Sequence, residues 1–355
     1  MMKRIPVITC LFLVTIIAGG MLNAAEEAKT RLAIVGLDHD HAWGLIKTIM
    51  SEPEAELVGI ADTRKARGEK MAAQFETRLM GRDELLDKVD AVIVTAENAK
   101  HAKWAVPAAK AGKHVLCEKP IAADAADAKR IIKAGEKAGV KLGIAFPCRY
   151  IPGVRRLKAL CDGGDLGDFL AAKGTNRGRM PGGWFTAKRL SGGGAVLDHT
   201  VHVLDLMRWI LKAEVVEVYA EVDRLMHDIE TDDCGTLTMT FDNGVFATLD
   251  PSWSRPKTYP TWGDVTLQIV GTRGVAAVDG FGQKLDIYDD RRGGSAWNYW
   301  GSDPDLGLIA DFVDAVERDR PFGITGVDGL RALEVALAAY RSAELGRAVK
   351  IEEVQ

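Results

Sequence analysis

The sequence Arg31-Leu32-Ala33-Ile34-Val35-Gly36 decides the fold, because it is an apolar run that a glycine ends and that a helical pattern follows at residues 42–50. Such a run indicates a buried strand that turns directly into a helix. Strands that alternate with helices predict a right-handed, parallel, doubly wound sheet, so we expect an α/β Rossmann domain over residues 30–147. The same alternation continues with strands at residues 55–61, 91–94, 114–116 and 140–145 and Ala-rich helices at 102–111 and 122–138.

The character of the sequence changes near Pro147, and the strands that follow are rich in Val, Thr and aromatic residues. Asp242-Asn243-Gly244 between two of them predicts a β-hairpin. Helices are predicted at residues 306–317 and 329–345, with Gly346 as the C-terminal stop. We therefore expect residues 148–355 to form an α+β domain with a large, mainly antiparallel open sheet. Its predicted strands are residues 169–175, 215–222, 235–241, 245–249, 265–270, 275–278 and 285–288.

Two segments far apart in the chain carry groups that suit proton transfer. Cys117-Glu118-Lys119-Pro120 closes the strand at residues 114–116, so it lies where an open parallel sheet presents its ligand crevice. The segment from Gly192 to His202 places Asp198 and His202 four residues apart, on one face if it is helical. A lysine, a histidine and a supporting carboxylate can move a proton on and off a hydroxyl. We therefore predict that Lys119, His202 and Asp198 are the catalytic residues.

Together with the order of strands and helices, these segments resemble the Gfo/Idh/MocA family of sugar and cyclitol oxidoreductases, from about residue 30 to residue 351. The resemblance implies that Lys119 contacts the nicotinamide ribose of NAD or NADP and the reacting hydroxyl of a sugar, cyclitol or glycoside, while Glu118 positions this lysine. It implies that His202 takes the hydroxyl proton, and that Asp198 orients the imidazole or binds a neighbouring hydroxyl. It also implies a homodimer or homotetramer, because the second sheet of this family commonly mediates dimerisation.

The loop after the first strand departs from the family pattern. The family carries G-x-G-x-x-G there, whereas this chain has Gly36-Leu37-Asp38-His39-Asp40-His41 and matches only the first glycine. A carboxylate at Asp38 repels a diphosphate, so we expect NAD(P) to bind more weakly than it does to a member with the full motif. The residues expected around the dinucleotide are Gly36, Asp38, His39, Asp62, Thr95, His101, Glu118 and Lys119.

Three of these residues have a second interpretation. Asp62 ends the second strand, where a carboxylate can accept hydrogen bonds from a ribose hydroxyl, but it can equally be a strand-end turn residue. Asp62 favours NAD and the nearby Arg64 favours NADP, so the choice of dinucleotide stays open. The segment from Thr95 to His101 resembles the family loop beside the nicotinamide ribose, and a solvated loop fits it equally well.

The histidines form an unusual set, because His39, His41, His101, His199 and His202 all fall in segments that the resembled fold brings to one cleft. Imidazoles and carboxylates in one place can bind a divalent ion such as Zn²⁺. We expect His39, His41 and His199 as the ligands of such an ion, and separate capping and hydrogen-bonding roles are the alternative.

A metal would support a rival class of enzyme, namely a sugar hydrolase, lyase or isomerase that needs no dinucleotide. A third hypothesis is a carbohydrate-binding protein without catalysis, but the joint presence of Lys119, Asp198 and His202 argues against it.

The bulk composition excludes some classes of protein. With 355 residues, 27% of them charged, the chain is long enough for two domains. A formal net charge of −4 does not indicate nucleic-acid binding. After Cys10, the remaining cysteines are Cys117, Cys148, Cys161 and Cys234, and none forms a C-x-x-C pair. We expect them to be unpaired, small buried residues, although an oxidising compartment permits a disulfide.

The N-terminus has the pattern of a targeting segment. Lys3-Arg4 precede an apolar run at residues 5–17, and Leu22-Asn23-Ala24 is a small-residue cleavage site. We therefore expect residues 1–24 to be a cleaved signal peptide and the mature chain to be secreted to the periplasm. The apolar run is shorter than the ~20 residues of a spanning helix, which argues against an uncleaved anchor, and no membrane span is expected after cleavage.

Overall fold

The computed structural model describes residues 29–289, 294–299 and 301–355, so the predicted signal peptide lies outside the described residues. The chain builds a five-stranded sheet, a seven-stranded sheet and a two-stranded ribbon. No helix in the described ranges is long and apolar enough to cross a membrane. The cysteines at positions 117, 148, 161 and 234 are free, and the first three are buried.

The first sheet is parallel and has the strand order β2-β1-β3-β4-β5. Its strands are apolar runs because helices cover both faces of the sheet. The strand order reverses between β1 and β3, so the ligand crevice of this sheet lies at their carboxyl ends. The elements of this domain are β1 (Thr30–Val35), α1 (His41–Ser51), β2 (Ala55–Ala61), α2 (Lys65–Gln74), α3 (Arg82–Leu86), β3 (Ala91–Val94), α4 (His101–Lys110), β4 (His114–Cys117), α5 (Ala125–Ala138) and β5 (Leu142–Ile144).

The second domain carries the seven-stranded sheet, with the order β11-β10-β6-β9-β8-β7-β14. All neighbouring strands in it are antiparallel except β6 and β9. The predicted fold class is thus confirmed. The elements are α6 (Pro152–Asp162), β6 (Phe169–Thr175), α7 (Lys188–Ser191), α8 (Ala195–Leu211), β7 (Val215–Asp223), β8 (Cys234–Phe241), β9 (Phe246–Asp250), β10 (Thr266–Gly271), β11 (Gly274–Asp279), β12 (Lys284–Asp289), β13 (Gly294–Tyr299), α9 (Pro304–Glu317), α10 (Gly326–Leu345) and β14 (Val349–Lys350).

Local sequence signals locate several turns correctly. The predicted hairpin at residues 242–244 joins β8 to β9, and the backbone N–H of Gly244 donates to the carbonyl oxygen of Phe241 at 2.9 Å. The C-terminal cap of α10 is Gly346, as predicted, in the left-handed conformation. At the other end of α10, Thr325 and Asp328 form a capping box, which explains why this helix starts three residues before the predicted boundary.

The last third of the chain holds the two domains together. Helix α10 packs against α5 of the first domain and against α8 and β7 of the second. The segment before α10 returns to the first sheet, where the N–H of Ile144 donates to the carbonyl oxygen of Ile324 at 3.3 Å and Gly143 bridges Thr325. Helix α8 is buried except for Trp209, so its polar residues lie inside the molecule.

Candidate active site

The crevice begins at the tight turn after β1. Gly36 has φ +70°, and a Cβ atom at this position would lie 2.6 Å from Cβ of Ala96 and 2.9 Å from the indole nitrogen of Trp104. Only glycine fits both the backbone conformation and the space. The hydroxyl of Thr95 donates to the carbonyl oxygen of Gly36 at 2.5 Å, and the carbonyl oxygen of Thr95 accepts the N–H of His39 at 2.9 Å. Thr95 therefore holds the loop to the end of β3.

Asp62 shapes the same loop from the end of β2. Its two carboxylate oxygens accept the backbone N–H of Leu37 at 2.6 Å and of Arg64 at 2.5 Å, and its side chain is only 1% exposed. This geometry matches the turn-residue interpretation that the sequence left open. The carboxylate organises the loop, and its contact with a ribose hydroxyl stays a prediction.

Asp38, in the place of the second family glycine, is not a free negative charge. Its carboxylate forms ion pairs with Arg64 and, at 3.0 Å, with Arg67. Arg67 also donates to the carbonyl oxygen of Leu37 at 2.6 Å. The argument from repulsion between Asp38 and a diphosphate is therefore wrong for this structure, because two guanidinium groups neutralise the carboxylate.

Lys119 and Asp198 meet at the centre of the crevice, where Nζ of Lys119 donates to Oδ1 of Asp198 at 2.7 Å. Both side chains are nearly buried, at 5% and 11% exposure. Burial alone would raise the pKa of Asp198, but the charges of Lys119 and His199 hold it well below its usual range. The lysine follows β4 directly and precedes a cis peptide bond to Pro120. The structure thus brings together Lys119 and Asp198, two of the three predicted catalytic residues.

The glycine segment at residues 192–194 determines where α8 begins. A Cβ atom on Gly194 would lie 1.9 Å from the carbonyl oxygen of Asp232, so the chains can approach only at glycine. The carboxylate of Asp232 then accepts the N–H of Gly194 at 2.8 Å and of Val196 at 2.7 Å, which satisfies free donors at the helix start. This anchoring places Asp198 in the first turn of α8 and His202 one turn later.

His202 is 6% exposed, and its Nδ1 lies 3.9 Å from the sulfur of Cys148. Burial and the nearby charge of Lys119 lower the pKa of His202 well below its usual value. The imidazole is therefore neutral at neutral pH, which is the form that accepts a proton.

Two other histidines contact the backbone. His101 is fully buried, and its ring nitrogens lie 3.0 Å from the carbonyl oxygen of Ala96 and 3.2 Å from that of Ile121. It supports the loop and the turn after Lys119, and its contact with a cofactor stays a prediction. Nδ1 of His199 lies 2.7 Å from the carbonyl oxygen of Asn176, and Nε2 lies 3.3 Å from Oδ2 of Asp198. Because a carbonyl oxygen only accepts, Nδ1–H of His199 donates to Asn176, and this bond holds the ring beside Asp198.

The predicted metal ligands do not form one cluster. His39 and His41 meet Glu118, with one ligand atom from each residue within 4.8 Å of the others, but His199 is not part of this group. Nδ1 of His41 lies 3.0 Å from Oε1 of Glu118. The backbone N–H of His41 donates to Nδ1 of His39 at 3.1 Å, while Nε2 of His39 is buried and has no partner among the described residues.

Two neighbours of this group come from distant parts of the chain. Asp305, in the first turn of α9, lies near His41 and Glu118, and burial together with the Glu118 carboxylate raises the pKa of Asp305 to about 6. The second neighbour is Trp184. Its indole N–H donates to the carbonyl oxygen of Asp38 at 3.0 Å, and it stacks on Phe185, whose ring lies 5.2 Å from that of His39. Side chains that reach the crevice from distant loops have no local pattern.

Comparison with known proteins decides the family. Residues 30–146 match the model described as an oxidoreductase family with an NAD-binding Rossmann fold, and residues 154–277 match the GFO/IDH/MocA C-terminal domain. A myo-inositol 2-dehydrogenase of Thermotoga maritima is 30% identical over 343 residues, which cover 91% of this chain and 99% of the relative. The chain belongs to the Gfo/Idh/MocA family. Its membership identifies it as an oxidoreductase of the NAD-binding Rossmann class.

Other Gfo/Idh/MocA relatives agree over nearly the whole chain. A 1,5-anhydro-D-fructose reductase of Ensifer adhaerens is 28% identical over 334 residues, covering 87% of this chain and 98% of the relative. The crystal structure of GenD2 from gentamicin A biosynthesis, solved in complex with NAD, superposes with a TM-score of 0.83 at 27% identity, covering 92% of this chain and 97% of GenD2.

Proposed function

We propose that this chain oxidises a secondary hydroxyl of a cyclitol or a sugar, with NAD or NADP as hydride acceptor. The observation that carries the proposal is the buried ion pair of Lys119 with Asp198, next to a neutral His202. Named relatives act on inositol and on 1,5-anhydro-D-fructose, which supports a polyhydroxylated ring as the substrate class.

The residues at the crevice fit a dinucleotide despite the altered loop. In the described part of the chain, the backbone N–H groups of Asp38 and Asp40 donate to no protein acceptor, and α1 begins directly afterwards. Free loop amides before a helix N-terminus suit a diphosphate. Gly36, the loop amides, Thr95, Glu118 and Lys119 would hold the dinucleotide, which supplies the hydride acceptor when it is bound.

Residues of the chain itself then remove the proton from the substrate hydroxyl. The Lys119 ammonium donates a hydrogen bond to the substrate hydroxyl oxygen and stabilises the negative charge that develops on it. His202, neutral and buried, accepts the hydroxyl proton. Asp198 balances the charge of Lys119.

We also propose that residues 1–24 direct export to the periplasm and that the protein is a homodimer or homotetramer. The exposed face of the seven-stranded sheet supports the second statement, since it presents Tyr219, Phe246 and Val275. The pattern of Lys3-Arg4 and the following apolar run supports the first.

Dinucleotide binding can be tested in two steps. Purified mature protein is denatured and the released nucleotide is identified, and the dialysed protein is titrated with NADH and NADPH by fluorescence. Oxidation of myo-inositol, scyllo-inositol and a panel of pyranosides is then followed by the absorbance of reduced nicotinamide. We expect binding and reduction with at least one ring polyol. Failure of the wild type to bind either dinucleotide would refute the proposal.

A second candidate is metal-assisted sugar chemistry without a dinucleotide, and the group of His39, His41 and Glu118 favours it. The hydrogen bonds in this group argue against it. Because Nδ1 of His39 accepts an N–H, the neutral ring carries its proton on Nε2 and offers no free lone pair. Nδ1–H of His41 donates to Glu118, so Nε2 of His41 is the one imidazole lone pair that the group offers, fewer than the three protein ligands of a catalytic zinc site. We therefore rank this candidate second.

A further inference from the structure

The loops after β1 and β2 are joined by a cluster of four charged side chains. Asp38 pairs with Arg64 and Arg67, and Nε of Arg64 also lies 3.9 Å from Oδ1 of Asp62. The two carboxylates are almost buried, with 7% and 1% of their side chains exposed, whereas Arg64 and Arg67 are 50% and 34% exposed. The two arginines are therefore partly exposed, and the two buried carboxylates beside them balance their charges.

This cluster lies where a Rossmann domain contacts the adenosine ribose, at the carboxyl ends of β1 and β2. An acidic residue at that place suits the two free hydroxyls of NAD, and an arginine suits the 2′-phosphate of NADP. Both kinds of residue are present here, so residue type alone does not decide between the two dinucleotides.

The net charge of the four side chains decides between NAD and NADP. Two guanidinium groups and two carboxylates sum to zero, so the cluster offers no net positive charge to a phosphate monoester, which carries nearly two negative charges at neutral pH. To bind that phosphate, Arg64 and Arg67 would have to release the Asp38 carboxylate, which the neighbouring loop after β1 holds beside them. A ribose hydroxyl can bind without breaking these ion pairs, because the paired guanidinium groups keep further N–H donors.

We propose that Asp38 makes this chain select NAD over NADP by neutralising Arg64 and Arg67. Asp38, which replaces the second glycine of the family motif, thus supplies to the two arginines the negative charge that the 2′-phosphate of NADP would supply. This inference rests on the proposed dinucleotide-dependent function and adds a residue that determines its specificity.

The test is the ratio of Kd values for NADPH and NADH, measured by fluorescence titration at one ionic strength. We expect the wild type to bind NADH about tenfold more tightly than NADPH, and Asp38→Asn to shift the ratio about tenfold or more toward NADPH, the usual scale for one charged hydrogen bond. Asp87→Asn is the control, since Asp87 is an exposed carboxylate of the same domain, at the C-terminal end of α3. It should leave the ratio within about twofold.

A second variant keeps the test independent of how well Asp38→Asn folds. Adding Arg64→Ala to Asp38→Asn should cancel the gain in NADPH affinity, and circular dichroism checks that each variant is folded. If the wild type binds NADPH as tightly as NADH, or if Asp38→Asn binds both with the wild-type ratio, the inference is wrong while the proposed function stands. If the wild type binds neither, the proposed function fails and this inference fails with it.

Discussion

Nζ of Lys119 lies 2.7 Å from Oδ1 of Asp198, although 79 positions of the chain separate the two residues. The lysine comes from the end of β4 in the first domain, and the aspartate comes from the first turn of α8 in the second. The active site is therefore formed only when the two domains dock, and neither domain holds the proton-transfer groups alone.

Lys119→Ala should lower kcat by ~10² or more, because it removes the donor that stabilises the developing charge on the substrate oxygen. Asp198→Asn should cost less, since it keeps a hydrogen-bond acceptor for the ammonium group. Steady-state kinetics with the best ring polyol measures both. Lys173→Ala, at an exposed position on the second sheet, is the control and should retain wild-type turnover. Equal turnover in Lys119→Ala and Lys173→Ala would contradict the assignment.

His202→Asn should lower kcat by ~10² or more if the imidazole accepts the hydroxyl proton. Burial and the charge of Lys119 lower the pKa of His202, so it stays neutral until the solution is clearly acidic. The pH dependence of kcat/KM of the wild type should accordingly show no inflection from histidine titration near pH 6.5. Removing the lysine charge in Lys119→Met should raise the pKa of His202, which NMR titration of the ring proton can follow. A shift in the opposite direction would rule out this coupling.

Gly36→Ala should destabilise the fold far more than Gly112→Ala. Both glycines have positive φ, at +70° and +73°, so both substitutions carry the same backbone strain of about 1–2 kcal/mol. Only Gly36 also faces close atoms, since no atom lies within 4 Å of a Cβ built on Gly112. Denaturant unfolding of the two variants measures the difference. Equal losses would show that the close packing of the first turn against Ala96 contributes nothing.

Asp264→Asn should lower stability by about 1–3 kcal/mol near neutral pH. Burial alone would raise the pKa of Asp264, but the backbone N–H of Arg177 and the guanidinium groups of Arg255 and Arg177 hold it below its usual value. A lowered folded pKa stabilises the fold above the unfolded value of about 4, and this contribution disappears as the pH falls through the folded pKa.

Urea unfolding at several pH values tests the Asp264 prediction. The difference between the wild type and Asp264→Asn should be full at pH 6 and should shrink below about pH 4. Asp168→Asn, at an exposed carboxylate, should show little difference at any pH. A difference for Asp264→Asn that does not change with pH would contradict the electrostatic explanation.

Zinc content should be well below one ion per chain in protein purified without a histidine tag. His39→Ala/His41→Ala should leave that content unchanged, because the N–H of His41 occupies the one lone pair of neutral His39, and His41 alone then offers an imidazole nitrogen to an ion. Elemental analysis of both proteins, side by side with His227→Ala, provides the measurement. One ion per chain in the wild type and in His227→Ala, lost from the double variant, would instead favour the metal-assisted function.

The sequence predicted the elements whose signals are local. The observed boundaries lie within three residues of the predicted ones for strands β1, β3 and β4 and for helices α5 and α10. Helices α2 and α3 and strand β14 were not predicted. Helix α2 has few apolar residues and buries only Gly68 and Met71, whereas β14 has two residues and exists because β7 pairs with it.

The candidate site was predictable in its centre and not at its edges. Lys119, Asp198 and His202 follow a strand end and a helix start that the sequence shows directly. The pairing of Asp38 with Arg64 and Arg67 depends on how two loops approach each other, and the position of Asp305 depends on how α9 packs near α1. Contacts of this kind arise from tertiary packing, so no spacing within one segment indicates them.

A backbone hydrogen bond joins Ile144 to Ile324, so a segment near the C-terminus covers β5, the outer edge of the first sheet. A shortened protein ending before Pro321 would leave β5 as a bare edge strand, and bare edges pair with strands of other molecules. The solubility of the dinucleotide-binding domain therefore depends on residues near the other end of the chain. Expressed alone, that domain should aggregate.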